Sequence, residues 1–175
     1  IRKRVALYGN GPRKMALKGD KLYVPTYFSD TLNIVSLSDQ NVEYMACNPQ
    51  RVSSAIDKGE RAFNDAALCY QNWQSCNGCH PDNGRTDGMN WDLMNDNIGN
   101  PKNCKSMLHS FETPKCMISG IRDSAAIAVR AGYKFIQFCD VDEDVAQCVD
   151  DYIRSLKPLP SPYLVDGKLS NKALE

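Results

Sequence analysis

The sequence predicts a mainly α chain: a helical domain over residues 48–160, preceded by a small antiparallel β segment over 1–47 and followed by a tail over 161–175. Three observations predict it. Up to Cys47 the chain reads as short β-rich runs cut by turn residues. From Asn48-Pro49 onward apolar residues recur near a helical period. Between the helices lies a Gly-, Asn- and Pro-rich stretch, 81–115, too long for a plain connection and suited to wrapping a ligand.

The β segment holds five runs: "RVALYG", "RKMALKG", "KLYVPTY", "TLNIVSL" and "VEYMAC". Gly9-Asn10-Gly11-Pro12, Gly19-Asp20-Lys21 and Ser38-Asp39 break them. Such spacing predicts strands of an antiparallel meander. The first predicted helix lies within 49–70, where Val52, Ala55, Ile56, Ala62, Phe63, Ala66 and Ala67 share a face. A second covers 124–136. The third, 142–156, opens with acids that favour a helix N-terminus and stops before Pro158 and Pro160.

Formal net charge is zero, and 24% of the residues are charged. That balance points away from nucleic acid as a partner. No apolar run is long enough to span a bilayer. The start at Ile1, without a charged-then-apolar leader, suggests a processed protein or an excised fragment. Charge is uneven: seven Lys or Arg against one Asp from Ile1 to Lys21, and six acids without a base from Cys139 to Asp151. These are solvated faces or docking surfaces for a redox partner.

Eight cysteines are many for 175 residues. Outside Cys76 and Cys79 there are six, and spacing suggests the disulfides Cys139–Cys148 and Cys104–Cys116, leaving Cys47–Cys69. The alternative is several buried free thiols. A disulfide-rich chain fits an oxidising compartment, hence a periplasmic or extracellular, cell-surface location in a bacterium.

Cys76-Asn77-Gly78-Cys79-His80 has the C-x-x-C-H spacing of covalent c-type haem attachment. Two thiols about one helical turn apart match the two vinyl groups of a haem. The adjacent histidine then lies beneath the ring, where neutral imidazole is a good iron ligand. Zinc is the rival: Cys76, Cys79 and His80 with His109 or Cys104 as fourth ligand. The usual zinc spacing does not place His directly after the second Cys. A redox dithiol is a third reading.

Gly59-x-x-x-Phe63 ahead of the motif and Tyr152 on the last helix resemble the crossing of first and last helices in class I cytochrome c. A closer resemblance is to the cytochrome-c-peroxidase-like domains that follow YVTN-type β-propellers in secreted bacterial proteins. It is carried by "CNGCHPDNGRTDGMNWDL", "NPKNCKSML", "ETPKCMISGIR", "AVRAGYKFIQF" and "DDYIRSLKPLPSPYLVDGKLS". The stretch "GPRKMALKGDKLYVPTYFSDTLNIVSL" resembles one YVTN blade. The resemblance implies a cytochrome c-like helical domain wrapped on haem c, with one propeller-blade remnant before it. It also implies partners: a redox protein or neighbouring haem domain, and the missing propeller blades of a parent protein.

The sixth iron ligand decides function. Met89, Met94, Met107, Met117 and His109 are candidates. Met117, in the loop "TPKCMISG", fits the way class I cytochromes present their methionine; His109 is the alternative. Arg85 and Arg122 are candidate propionate partners, and Trp91 a candidate haem-edge neighbour. Three functions compete: a single-electron carrier with one haem, a fragment of a di-haem peroxidase-like oxidoreductase, and a propeller-linked binding or scaffold module.

Overall fold

The structure, a computed structural model, describes residues 3–92, 99, 101–117 and 119–175. Strands β1 (Ala16–Lys18), β2 (Lys21–Thr26), β3 (Thr31–Ser36) and β4 (Val42–Ala46) form one antiparallel sheet in sequence order. Gly19-Asp20 closes the first turn, with Gly19 at φ 59°, a left-handed conformation that suits glycine. Asp20 then accepts from the amide and hydroxyl of Ser38, tying that turn to the end of β3.

Val24, Thr26, Asn33 and Val35 are buried on one face of the sheet. The segment around Tyr8 lies across that face. Tyr8 N–H donates to Asn33 Oδ1 at 2.7 Å, and Asn33 Nδ2 returns a bond to the Tyr8 carbonyl at 3.0 Å. Thr26 Oγ1 donates to the same carbonyl, and the Tyr8 ring stacks on Tyr44. The run Arg4–Gly9, predicted as a strand, is therefore a cover for the sheet and not a member of it.

Helix α1 (Ala55–Asn64) starts with a capping box: Ser54 Oγ accepts from Asp57 N–H, and the Asp57 carboxylate accepts from Ser54 N–H. Its buried face is Gly59, Ala62 and Phe63. Further on come the short α2 (Cys76–Cys79) and α3 (Pro81–Gly84), then a hairpin of β5 (Asn90–Trp91) and β6 (Lys102–Asn103). Helix α4 (Ala125–Phe135) is capped by Ser124, and α5 (Glu143–Ser155) has Glu143 and Asp144 in its first turn. An exposed hairpin, β7 (Leu164–Val165) with β8 (Lys168–Leu169), and α6 (Asn171–Leu174) end the chain. Among the described residues no helix is long and apolar enough to cross a membrane.

The helical core is Ala62, Phe63, Val129, Tyr133, Val149, Tyr152 and Ile153. Gly59 is what lets α1 reach α5: a Cβ there would overlap the Cys148 carbonyl and lie 2.8 Å from Tyr152 Cβ. Phe63 and Tyr152 rings then meet at 5.2 Å. The sheet rests on α1 through polar contacts. Arg13 pairs with Glu60 at 2.9 Å while lying over the Tyr27 ring. Arg51 pairs with Asp30, in the β2–β3 turn, and with Asp57 of α1.

The mainly α, cytochrome c-like expectation is corrected. Helices hold 33% of the chain described and strands 19%, with a four-stranded sheet, so both structure types build the fold. The reason is physical. The β segment pairs strand to strand from Ala16 to Ala46 and buries its own interior, while many of the described residues of 65–124 lie outside helices and strands, in keeping with their Gly, Asn and Pro content. The disulfide expectation is corrected too: all eight cysteines are unpaired here.

Candidate functional site

The C-x-x-C-H motif forms a single helical turn. Cys76–Cys79 is helical, and His80 N–H donates to the Cys76 carbonyl at 2.9 Å. The chain then reverses through Asp82 (φ 52°) and Asn83 (φ 62°), residue types that tolerate the left-handed region. Gly84 follows at φ 75°, packed so closely on Leu156 that a side chain there would meet it.

This reversal returns the Arg85 carbonyl to the His80 ring, 3.3 Å from Nδ1. A proton on Nδ1 satisfies that carbonyl and leaves Nε2 as the lone-pair nitrogen, the tautomer a metal ligand needs. Burial lowers the His80 pKa, which keeps the ring neutral.

Burial pushes the Cys76 and Cys79 thiols each up to about 11. At neutral pH both are protonated. Gln137 Nε2 donates to Cys76 Sγ at 3.0 Å, whereas Cys79 Sγ faces Gln74 Oε1 at 3.8 Å. The two thiols thus have different neighbours. Cys104 Sγ lies 3.6 Å from His80 Nδ1 and bonds to the Cys79 carbonyl. Among the described residues no three His, Cys, Asp or Glu side chains converge as a metal cage, so the zinc reading has no ligand set here.

Cys76, Cys79 and His80 line one cavity of about 670 Å³, within the usual size of cofactor sites. Much of the rest of its wall is apolar: Phe63 from α1, Val129 and Ile136 from the α4 region, Val149 and Ile153 from α5. Three lysines, Lys102, Lys105 and Lys115, also line it, and among the described residues no carboxylate does. An apolar cavity with two addressable thiols, one neutral imidazole and only cationic charges fits an apolar dianion such as haem.

The candidate residues divide. Trp91 and Met117 line the cavity. Trp91 Nε1 donates to Asp87 Oδ2 at 2.9 Å, and Met117 sits at φ 70° on a tight turn. Met107 lines it as well. Arg85, Arg122 and His109 do not. Arg85 contributes its carbonyl to His80, and Arg122 lies over the Phe135 ring. His109 is exposed and bonded to Glu112 at 2.9 Å. Met89 is exposed, and Met94 lies outside the described residues. Sequence reasoning missed the three lysines, Tyr133 and Gln137. The available signal was weak: Lys105 and Lys115 each adjoin a cysteine, in "NCKS" and "PKCM".

No family model matches the chain. It is 42% identical over 130 residues to hydrazine synthase subunit gamma of Kuenenia stuttgartiensis, a match covering 67% of this chain and 37% of that protein. A solved structure of Kuenenia stuttgartiensis hydrazine synthase pressurized with xenon matches with a TM-score of 0.57 and 26% identity, over 69% of this chain and 42% of that one. The chain thus spans less than half the length of either, and within that span it is similar in sequence and in fold to hydrazine synthase.

Proposed function

We propose that this chain binds one haem c, through thioethers at Cys76 and Cys79 with His80 on iron, and carries single electrons within a larger redox protein. One observation carries the reading: Cys76, Cys79 and His80 line a single, mostly apolar cavity whose charged lining side chains, among the described residues, are all lysines. When bound, haem supplies Fe(III)/Fe(II) cycling.

The protein's own residues do the rest. The Arg85 carbonyl holds the Nδ1 proton of His80 and so fixes the ring. Lys102, Lys105 and Lys115 replace Arg85 and Arg122 as propionate partners. Phe63, Val129, Ile136, Val149 and Ile153 exclude water. Met117 is the proposed sixth ligand, because it lines the cavity and His109 does not. The division at residues 47/48 and 160/161, the redox partner and a bacterial periplasmic or surface location belong to the same proposal.

A second reading is favoured by the 42% identity to a subunit of hydrazine synthase. Here the haem has an open face and does small-molecule chemistry among partner subunits. Visible spectra of protein from a host competent for haem attachment separate the two. A reduced two-thioether spectrum, with a sulfur–iron charge-transfer band when oxidised and lost in Met117→Ala, supports the electron carrier. A high-spin oxidised spectrum that shifts with cyanide supports the second. No covalent haem in such material refutes both.

A further inference from the structure

The two cysteines of the motif are not equivalent. Among the described residues, the Cys79 thiol has one side-chain hydrogen-bond contact, with Gln74 Oε1 at 3.8 Å. Cys76 is met by Gln137, just past the C-terminus of α4, with Tyr133 of α4 beside it. Gln137 Nε2 donates to Cys76 Sγ at 3.0 Å, and the Tyr133 hydroxyl interacts with the same sulfur.

Both side chains are deeply buried, Tyr133 at 1% and Gln137 at 4% exposure. Their backbones are pinned as well: Gln137 N–H donates to Gly132 O, Gln137 O accepts from Tyr70 N–H, and Tyr133 O accepts from Cys139 N–H. Yet neither Gln137 Oε1 nor the Tyr133 hydroxyl has a hydrogen-bond partner. Two polar groups kept in a core with so little pairing are destabilising unless they have a use.

We propose that Gln137, with Tyr133 beside it, is a positioning residue for covalent haem attachment at Cys76, holding that sulfur by a donated hydrogen bond which Cys79 lacks. The inference rests on the haem c reading. In attachment, the S–H bond and the π bond of the vinyl group break, a C–S bond forms at the inner vinyl carbon, and the hydrogen ends on the outer vinyl carbon as part of a methyl group. No electrons are gained or lost overall. A thioether sulfur accepts hydrogen bonds but donates none. The Gln137 N–H and Tyr133 O–H are both donors, so they suit the product as well as the thiol.

The test uses the full chain made in a host competent for haem attachment. Tyr133→Phe, Gln137→Met and their combination remove the donors at nearly constant volume. Tyr152→Phe removes a core hydroxyl away from Cys76 and controls for loosened packing. Intact mass and the band position of the reduced pyridine haemochrome read how many thioethers formed. The expected result is two thioethers in the parent chain and in Tyr152→Phe. In the double variant most haem is held by Cys79 alone, with an intermediate fraction in each single variant. Two thioethers at the parent's level in the double variant overturn the inference. So does a single-thioether population in Tyr152→Phe. If the double variant does not fold, Gln137→Met decides by the same readout. A parent chain without covalent haem refutes the haem reading itself.

Discussion

The sheet and the helical region solve the same problem, a polar group in an interior, in opposite ways. In the sheet, Asn33 and Thr26 are almost fully buried, and both are bonded to the backbone of Tyr8 and of neighbouring strands. In the helical region, Tyr133, Gln137 and Asp150 each keep a buried oxygen without a full set of partners, and the core opens into the 670 Å³ cavity. An unpaired buried group costs roughly 1–3 kcal/mol. The sheet is therefore complete on its own residues, while the helical region is built around something more.

The strongest way to break this contrast is to withhold the proposed haem, by the double change Cys76→Ala and Cys79→Ala. Amide exchange should quicken across α4 and α5 by orders of magnitude, while Asn33 and Ile34 in β3 stay protected. Equal loss in both regions would mean one cooperative unit and no contrast. Next in size is Gly59→Ala. Its methyl would drive α1 off the Cys148 carbonyl and Tyr152. Denaturant unfolding should show a loss of about 3 kcal/mol, confined to the helical transition.

Asn33→Ala should act only on the sheet. It strands the Tyr8 amide and should lower stability by about 2 kcal/mol, with any haem spectrum unchanged. The smallest effect is at the junction. Ser54→Ala removes the α1 cap and should cost about 1 kcal/mol by thermal unfolding. The Ser54 amide and hydroxyl, followed by Arg51, hold the Asp57 carboxyl below its ordinary range. That contribution is full above the ordinary aspartate pKa of about 4 and is lost as pH falls through the lowered value. The gap between Ser54→Ala and the parent should therefore narrow in acid. A gap constant down to pH ~2 would remove Asp57 from the account.

Legibility followed how local the deciding interactions are. Helix α4 was expected over 124–136 and found at Ala125–Phe135, and α5 over 142–156 and found at Glu143–Ser155, because caps, periodicity and prolines act within a turn or two. The four strands were readable for the same reason. Arg4–Gly9 was not, since its alternation suits a strand equally well, and only the Tyr8–Asn33 pairing across the sheet decides its place. The motif announced Cys76, Cys79 and His80. It could not announce Lys102, Lys105 and Lys115, which come from the β5–β6 hairpin and two loops and meet only in the fold. Arg85 and Arg122 were nearer in sequence pattern and face elsewhere.

The order of the sheet, β1-β2-β3-β4, has a kinetic consequence. Each strand pairs only with its neighbours in sequence, so every loop closed in forming it is short. The crossing of α1 on α5 joins segments at opposite ends of the helical region and must wait for the chain between them. The sheet should then form early as the chain emerges, while 76–80 is still accessible for attachment of the proposed haem. Pulse-labelling of amides during refolding, with β3 protected before α5, would show that sequence of events.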